Sequence, residues 1–254
     1  MAEPVTAAAR RVAPDAAALM HVAAEEVASR AASAVQARGR FTIALSGGST
    51  PRALYALLAD PAAPFRARVP WDAVQVFFGD ERHVPPDHAD SNYRMAREAL
   101  LGLVPIRPES VHRVRGELPD ADEAALEYEA ELSEAFALRE GERPRLDVAL
   151  MGMGPDGHTA SLFPGSAALG EEARLVVAPY VPKFGVHRVT LTLPVFAAAR
   201  AVVFLVAGAD KAERVAEVLG GRAPQLPAAR VRPEEGELLW LLDAAAATSL
   251  LRVP

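Results

Sequence analysis

Short apolar runs alternate with longer stretches of helical periodicity along almost the whole chain. Residues 41–45, 74–78, 146–151, 201–206 and 238–242 are apolar runs of strand length, and 188–193 alternates polar and apolar as a half-buried strand does. Between them, residues 15–38 carry Leu19, Val22, Val27 and Val35 among many alanines and predict a helix. Pro51 suits the first turn of a helix and opens a second one through about residue 58. Residues 92–101 predict a third. Residues 121–139 predict a strongly amphipathic fourth, with Leu126, Leu132, Phe136 and Leu138 set among acids. Asp210 is placed to cap a fifth that runs to Leu219. Apolar strands separated by helices predict an α/β fold with a largely parallel sheet covered on both faces. The proline-containing stretches 60–70 and 222–233 predict surface loops. No repeat or interdomain linker interrupts the pattern, so residues 1–254 read as a single domain.

Composition narrows the function. The 254 residues are 51% hydrophobic, enough to build a substantial core. Acids outnumber bases 33 to 27 for a net charge of −6, which leaves no basic footprint for nucleic acid. The cations are scattered, so no polybasic membrane patch is expected. No apolar run approaches the roughly 20 residues that span a bilayer. Met1-Ala2-Glu3-Pro4 lacks the basic start and apolar block of a signal peptide. There is no cysteine, which excludes disulfides, thiolate metal sites and a cysteine nucleophile. A cytoplasmic protein with a small-molecule partner is the expectation.

Three of the strands end in unusual polar sequences, and ligands of open parallel sheets bind beyond the carboxyl ends of strands. Ser46-Gly47-Gly48-Ser49-Thr50-Pro51 combines close backbone approach, two kinds of hydroxyl and a helix N-terminus, which suits a phosphate. It lacks the Gly-Lys-Ser/Thr of a nucleotide-binding P-loop. The competing reading is an ordinary glycine turn before a helix.

Gly79-Asp80-Glu81-Arg82-His83 sets four titratable residues directly after Val-Phe-Phe, and burying them is costly unless they are paired or useful. Arg82 can clamp a phosphate or polarise a carbonyl; a solvated turn with a structural ion pair is the alternative. In Asp156-Gly157-His158-Thr159-Ala160-Ser161, His158 two residues from Asp156 reads as a general base in a strand-to-helix turn. The bland alternative is that both merely cap the next helix. His21, His83, His88, His112 and His187 are assigned structural roles by default. Lys211, after the expected cap Asp210, opposes the helix dipole unless an anionic ligand faces it. No Gly-x-Ser-x-Gly elbow and no zinc-ligand spacing is present, so the expected nucleophile is water activated by His158.

Together these blocks, with Asp90-Ser91-Asn92-Tyr93, the run from Gly152 through Pro164 and His187-Arg188-Val189-Thr190-Leu191-Thr192, resemble the 6-phosphogluconolactonases. The blocks occur in the family's order over roughly residues 40 to 215. Asp-Gly-His-Thr-Ala-Ser-Leu-Phe-Pro is the most specific of them. The resemblance implies a sugar-phosphate isomerase-like, Rossmann-like three-layer fold, hydrolysis of a phosphorylated sugar lactone in the pentose phosphate pathway, and neither metal nor organic cofactor. It implies His158 as base, with Asp156 and Arg82 in the catalytic group. It places substrate contacts on Ser46, Gly47, Gly48, Ser49, Thr50, Asp80, Arg82, Asn92 and Lys211, with Lys183 and Arg188 as additional contacts.

The scaffold is also similar to glucosamine-6-phosphate deaminase, whose Asp-Gly-His turn is followed by a proton-moving Glu. Phe163 stands at the matching position here, whereas Asp80 matches that enzyme's proton-shuttling Asp. A non-catalytic sugar-phosphate sensor is a third reading. It usually needs a DNA-binding segment, and the first 40 residues offer one helix only.

Overall fold

The computed structural model describes residues 8–252. Met1-Ala2-Glu3-Pro4, read above for a signal-peptide start, lie outside the described residues. In chain order the elements begin with β1 (Ala9–Ala13), α1 (Ala16–Arg38), β2 (Phe41–Leu45), α2 (Ser49–Ala59), β3 (Val74–Phe78), β4 (Asp80–Arg82) and α3 (Asn92–Ala96). They continue with α4 (Ala121–Phe136), β5 (Val148–Met151), β6 (Val176–Val177), β7 (Tyr180–Val181), β8 (Val186–Leu191) and α5 (Leu193–Ala198). The chain then forms β9 (Ala201–Val206), α6 (Ala212–Leu219), α7 (Pro227–Arg230), β10 (Glu237–Asp243) and α8 (Ala244–Ala247).

Six strands pair in the order β1-β10-β9-β5-β2-β3, every pairing parallel. The central strands β2, β5 and β9 are buried at every position, as their unbroken apolar runs require of a sheet covered on both faces. Alternate side chains enter two cores. Phe41, Ile43, Leu45, Val148, Leu150, Val203 and Leu205 pack with Leu19, Val27, Leu54 and Leu58 of α1 and α2. Ala44, Phe77, Ala149, Met151, Val202 and Phe204 pack with Tyr128 and Leu132 of α4 and Val215 of α6. The expected α/β fold with helices on both faces is therefore what forms.

The sequence pattern concealed a second sheet. Strands β4, β8 and β6 pair antiparallel, and β7 joins β8. The alternating run expected at 188–193 is thus shifted to Val186–Leu191 and belongs to this small sheet, while Leu193 already starts α5.

Other boundaries are set locally, and the first helix ends where expected, as Gly39 takes a left-handed φ of 74°. The third helix passes at Arg97 into a π-helical turn, Arg97–Leu101. The fourth stops at Phe136, and its Leu126 is 55% exposed, outside the apolar face assigned to it.

Asp210 does not cap α6. Gly208, at φ 102°, leads a turn Ala209–Lys211, and the Asp243 carboxylate accepts the Gly208 N–H at 3.1 Å, while Asp210 pairs with Lys211. Nor are the two proline stretches merely surface. Phe65 and Val69 are buried, and the second stretch contains α7 with Leu226, Ala228 and Val231 in the core. No helix among the described residues is long and apolar enough to cross a membrane.

Candidate functional site

At the carboxyl ends of β2, β5 and β9 lies a cleft of about 240 Å³. One wall is the glycine loop. Tyr55 of α2 anchors it: the tyrosine hydroxyl accepts the Ser46 N–H at 2.9 Å and donates to the Ser46 carbonyl at 2.8 Å. Gly48 occupies the N-cap position of α2 and provides no side-chain cap, so the first-turn N–H groups are free to meet an anion. Gly47 lets Asn92 approach closely: a Cβ there would stand 2.0 Å from Asn92 Oδ1 and displace the amide. Ser46, Gly47, Gly48, Ser49 and Thr50 all line the cleft.

The opposite wall is built from the charged run after β3. It forms β4 rather than a turn, and β4 pairs with β8 so that Arg82 faces Arg188. Neither guanidinium has a carboxylate partner among the described residues. Arg82 donates to the Asp90 carbonyl at 2.6 Å, and the Nε atoms of both arginines are buried without a partner. Arg188 lies over the rings of Phe184 and Phe163, 4.7 and 5.8 Å from their centroids. Desolvation, and then the neighbouring Arg82 charge, push its pKa down. Like charges set opposite each other in a ladder are unfavourable unless an anion bridges them.

Asp80 and Asn92 sit between these walls. Asp80 is 5% exposed and accepts the Ser161 hydroxyl at 2.6 Å. The Asn92 amide donates to the Asp80 carbonyl at 2.9 Å. The ion pair weighed as an alternative for this segment is not what holds it: Glu81 accepts hydrogen bonds from the Arg82 N–H and from the chain around α3.

His158 closes the cleft. Its Nδ1 bonds the Asp156 carboxylate, so the remaining ring nitrogen, Nε2, keeps its lone pair when the ring is neutral. Its ring stacks on Phe163 with centroids 4.3 Å apart and lies where a Cβ on Gly154 would come within 2.1 Å. Burial works to raise the pKa of Asp156, but the hydrogen bond and charge of His158, with Lys183 beyond, outweigh it and hold the carboxyl at about 2.

No helix follows this motif, which corrects the strand-to-helix reading and removes helix capping as an explanation for the Asp–His pair. Thr159 and Leu162 instead exchange backbone hydrogen bonds of 3.3 and 2.9 Å around a tight turn. Ala160 there is held at φ 48°, a conformation that costs a residue with a Cβ about 1 kcal/mol or more.

Lys211 lines the cleft at the start of α6. Lys183 does not: it lies on the outer side, 56% exposed, with its Nζ 3.2 Å from Asp156. The remaining histidines engage local groups. His112 bonds Glu131 and Gln75, His83 the Leu118 carbonyl, His187 the Ala178 carbonyl and His88 the Asp90 N–H, while His21 packs beside Phe65. The sequence reading missed Ser161 as the partner of Asp80, although it lies in the most specific block. Its hydroxyl is fully buried, and buried hydroxyls need partners.

The family model described as glucosamine-6-phosphate isomerases/6-phosphogluconolactonase matches residues 14–240. The chain belongs to this family. A 6-phosphogluconolactonase of Nostoc sp. is 45% identical over 241 residues, covering 94% of this chain and 97% of that protein. A solved 6-phosphogluconolactonase from Trypanosoma cruzi is 33% identical, with a TM-score of 0.81 over 96% of this chain and 97% of that one. A solved monomeric glucosamine-6-phosphate deaminase shares the fold, with a TM-score of 0.77 over 95% of this chain and 99% of that one, at 18% identity. The family's description spans isomerases and lactonases, so the fold alone does not choose the chemistry.

Proposed function

We propose that this protein hydrolyses 6-phospho-D-glucono-1,5-lactone to 6-phosphogluconate, the lactone-opening step of the oxidative pentose phosphate pathway, using water activated by His158. The observation that carries the mechanism is the pairing of His158 Nδ1 with Asp156, which leaves Nε2 as the one basic nitrogen of the ring at the cleft.

The first-turn N–H groups of α2, Lys211, Arg82 and Arg188 hold the phosphate, and Asp80 and Asn92 supply polar contacts to the sugar. This fixes the lactone carbonyl beside His158. Water attacks the carbonyl carbon while Nε2 takes its proton, and the carbonyl electrons move onto oxygen. The nearby guanidinium charge stabilises the oxyanion. As the tetrahedral intermediate collapses, the bond to the ring oxygen breaks, and the imidazolium holds the proton that the departing alkoxide needs. Asp156 stabilises that imidazolium and keeps the ring oriented. General-base assistance of this kind contributes about 10²- to 10⁴-fold. A lactone carbonyl is already electrophilic, so no metal-activated nucleophile is invoked. Lys183 acts from outside, steadying Asp156.

In this reading the whole chain works as one domain in the cytoplasm with a small phosphorylated sugar lactone as its partner; its acidic balance argues against a nucleic-acid partner. The deaminase alternative is opposed by Phe163, which stacks on His158 and has no proton to relay. The deciding experiment follows acid release from freshly generated 6-phosphogluconolactone. Hydrolysis well above the spontaneous rate is expected; a rate equal to the buffer control overturns the assignment.

A further inference from the structure

Glu81 is 2% exposed and does not line the cleft, yet its carboxylate is the convergence point of the wall that does. Oε1 accepts the N–H groups of Arg82 and Asn92, each at 2.7 Å. Oε2 accepts the Tyr93 N–H at 2.8 Å and the Ser91 hydroxyl at 3.0 Å. Four donors and no acceptor surround it, which only a group with two accepting oxygens satisfies in full. Capping α3 does not by itself call for a buried carboxylate, since the Ser91 hydroxyl already accepts the Arg94 N–H at the N-cap.

The residues held by Oε1 are those that matter at the cleft. Arg82 is one of the two facing guanidinium bearers. Asn92 reaches across with its amide, bonding the Asp80 carbonyl and abutting Gly47 so closely that a side chain there would displace it. We propose that Glu81 is a positioning residue for phosphate recognition: through the backbones of Arg82 and Asn92 it sets the spacing between the arginine wall and the glycine loop. The proposal rests on the reading of the cleft as a phosphosugar site. Burial works to raise the Glu81 pKa and the four donors oppose this, so the ionised form depends on the very bonds that do the positioning.

The test compares wild type with Glu81→Ala, which removes both oxygens, and Glu81→Gln, whose single amide oxygen can keep Arg82 and Asn92 while its NH₂ meets the Tyr93 N–H. Three quantities are read: KM and kcat for 6-phosphogluconolactone, and Kd for 6-phosphogluconate by calorimetry, which needs no turnover. Folding is checked by circular dichroism. Loss of charged hydrogen bonds predicts a rise of at least about 10-fold in KM and Kd for Glu81→Ala and about 3-fold for Glu81→Gln, with a smaller fall in kcat where Arg82 is displaced from the oxyanion. A merely structural role lowers Tm and leaves KM and Kd unchanged in the folded protein, which overturns the proposal. If Glu81→Ala does not fold, the same criterion applies to Glu81→Gln. A wild type that binds 6-phosphogluconate without hydrolysing the lactone overturns the functional assignment but not this proposal; one that does not bind 6-phosphogluconate overturns the proposal.

Discussion

Arg82 and Arg188 face each other across the antiparallel pairing of β4 and β8, each with a buried guanidinium nitrogen that has no partner among the described residues. Like charges held face to face repel each other, and an anion between them relieves that repulsion. Arg188→Met is therefore expected to raise KM for the phosphorylated lactone by about 10-fold or more without lowering Tm. Inorganic phosphate is expected to stabilise wild type against heat more than the variant, because a ligand that binds only the native state raises its stability. Equal phosphate-induced Tm shifts in thermal melts of the two proteins count against the clamp.

In the proposed mechanism the ring of His158 supplies the base. His158→Gln keeps a polar side chain of similar reach but no basic nitrogen. Its kcat is expected to fall by at least about 10²-fold with KM little changed, as for loss of a proton acceptor. Near-normal turnover in a steady-state assay removes His158 from the mechanism.

Asp156 links the site to pH. Its carboxyl is held at about 2 in the folded protein, below the unfolded value of about 3.9. A depressed carboxylate contributes stability that is fully present above the unfolded pKa and is lost as pH falls through the folded one. The Tm difference between wild type and Asp156→Asn is thus expected to be constant above about pH 5, to shrink below pH 4 and to vanish near pH 2. Melts across this range check the sign; a difference that grows on acidification contradicts it. The same variant is expected to lose at least about 10²-fold in kcat at neutral pH, because the ring loses its anionic partner.

In the proposed reading Phe163 is what separates lactone hydrolysis from deamination. It packs flat on His158 and edge-on to Phe184, an apolar support that excludes water from that side of the ring. No measurable ammonia is expected from glucosamine-6-phosphate, even at high enzyme concentration, alongside rapid lactone hydrolysis in the same buffer. Ammonia release without lactonase activity reverses the assignment.

Among the described residues no group of three or more His, Asp or Glu side chains is arranged to hold a metal ion. Activity is expected to survive exhaustive treatment with EDTA. Loss on chelation with recovery on adding a divalent ion shows a metal requirement.

Much of this architecture was legible in the residue pattern. Strands buried on both faces must be apolar at every position, and 41–45, 74–78 and 201–206 are nearly so; helices between them leave a parallel sheet as the consequence. The polar sequences after 41–45, 74–78 and 146–151 marked the candidate site, because local composition suffices to identify a glycine loop, a charged run and an Asp–His pair. Three-dimensional folding decided what those pieces do to one another. Strands of two or three residues, such as β4 and β6, carry too little periodicity to be seen, so the small antiparallel sheet and the Arg82–Arg188 opposition it creates were invisible. Lys183 and Lys211 look alike as isolated cations, but the fold puts one outside beside Asp156 and the other inside the cleft. Glu81 and Ser161 sat in conspicuous motifs, yet three of the four partners of Glu81 lie 10 to 12 residues away and Asp80 lies 81 residues from Ser161. Which distant donor meets a buried carboxylate depends on how separate segments pack, and no local pattern encodes that pairing.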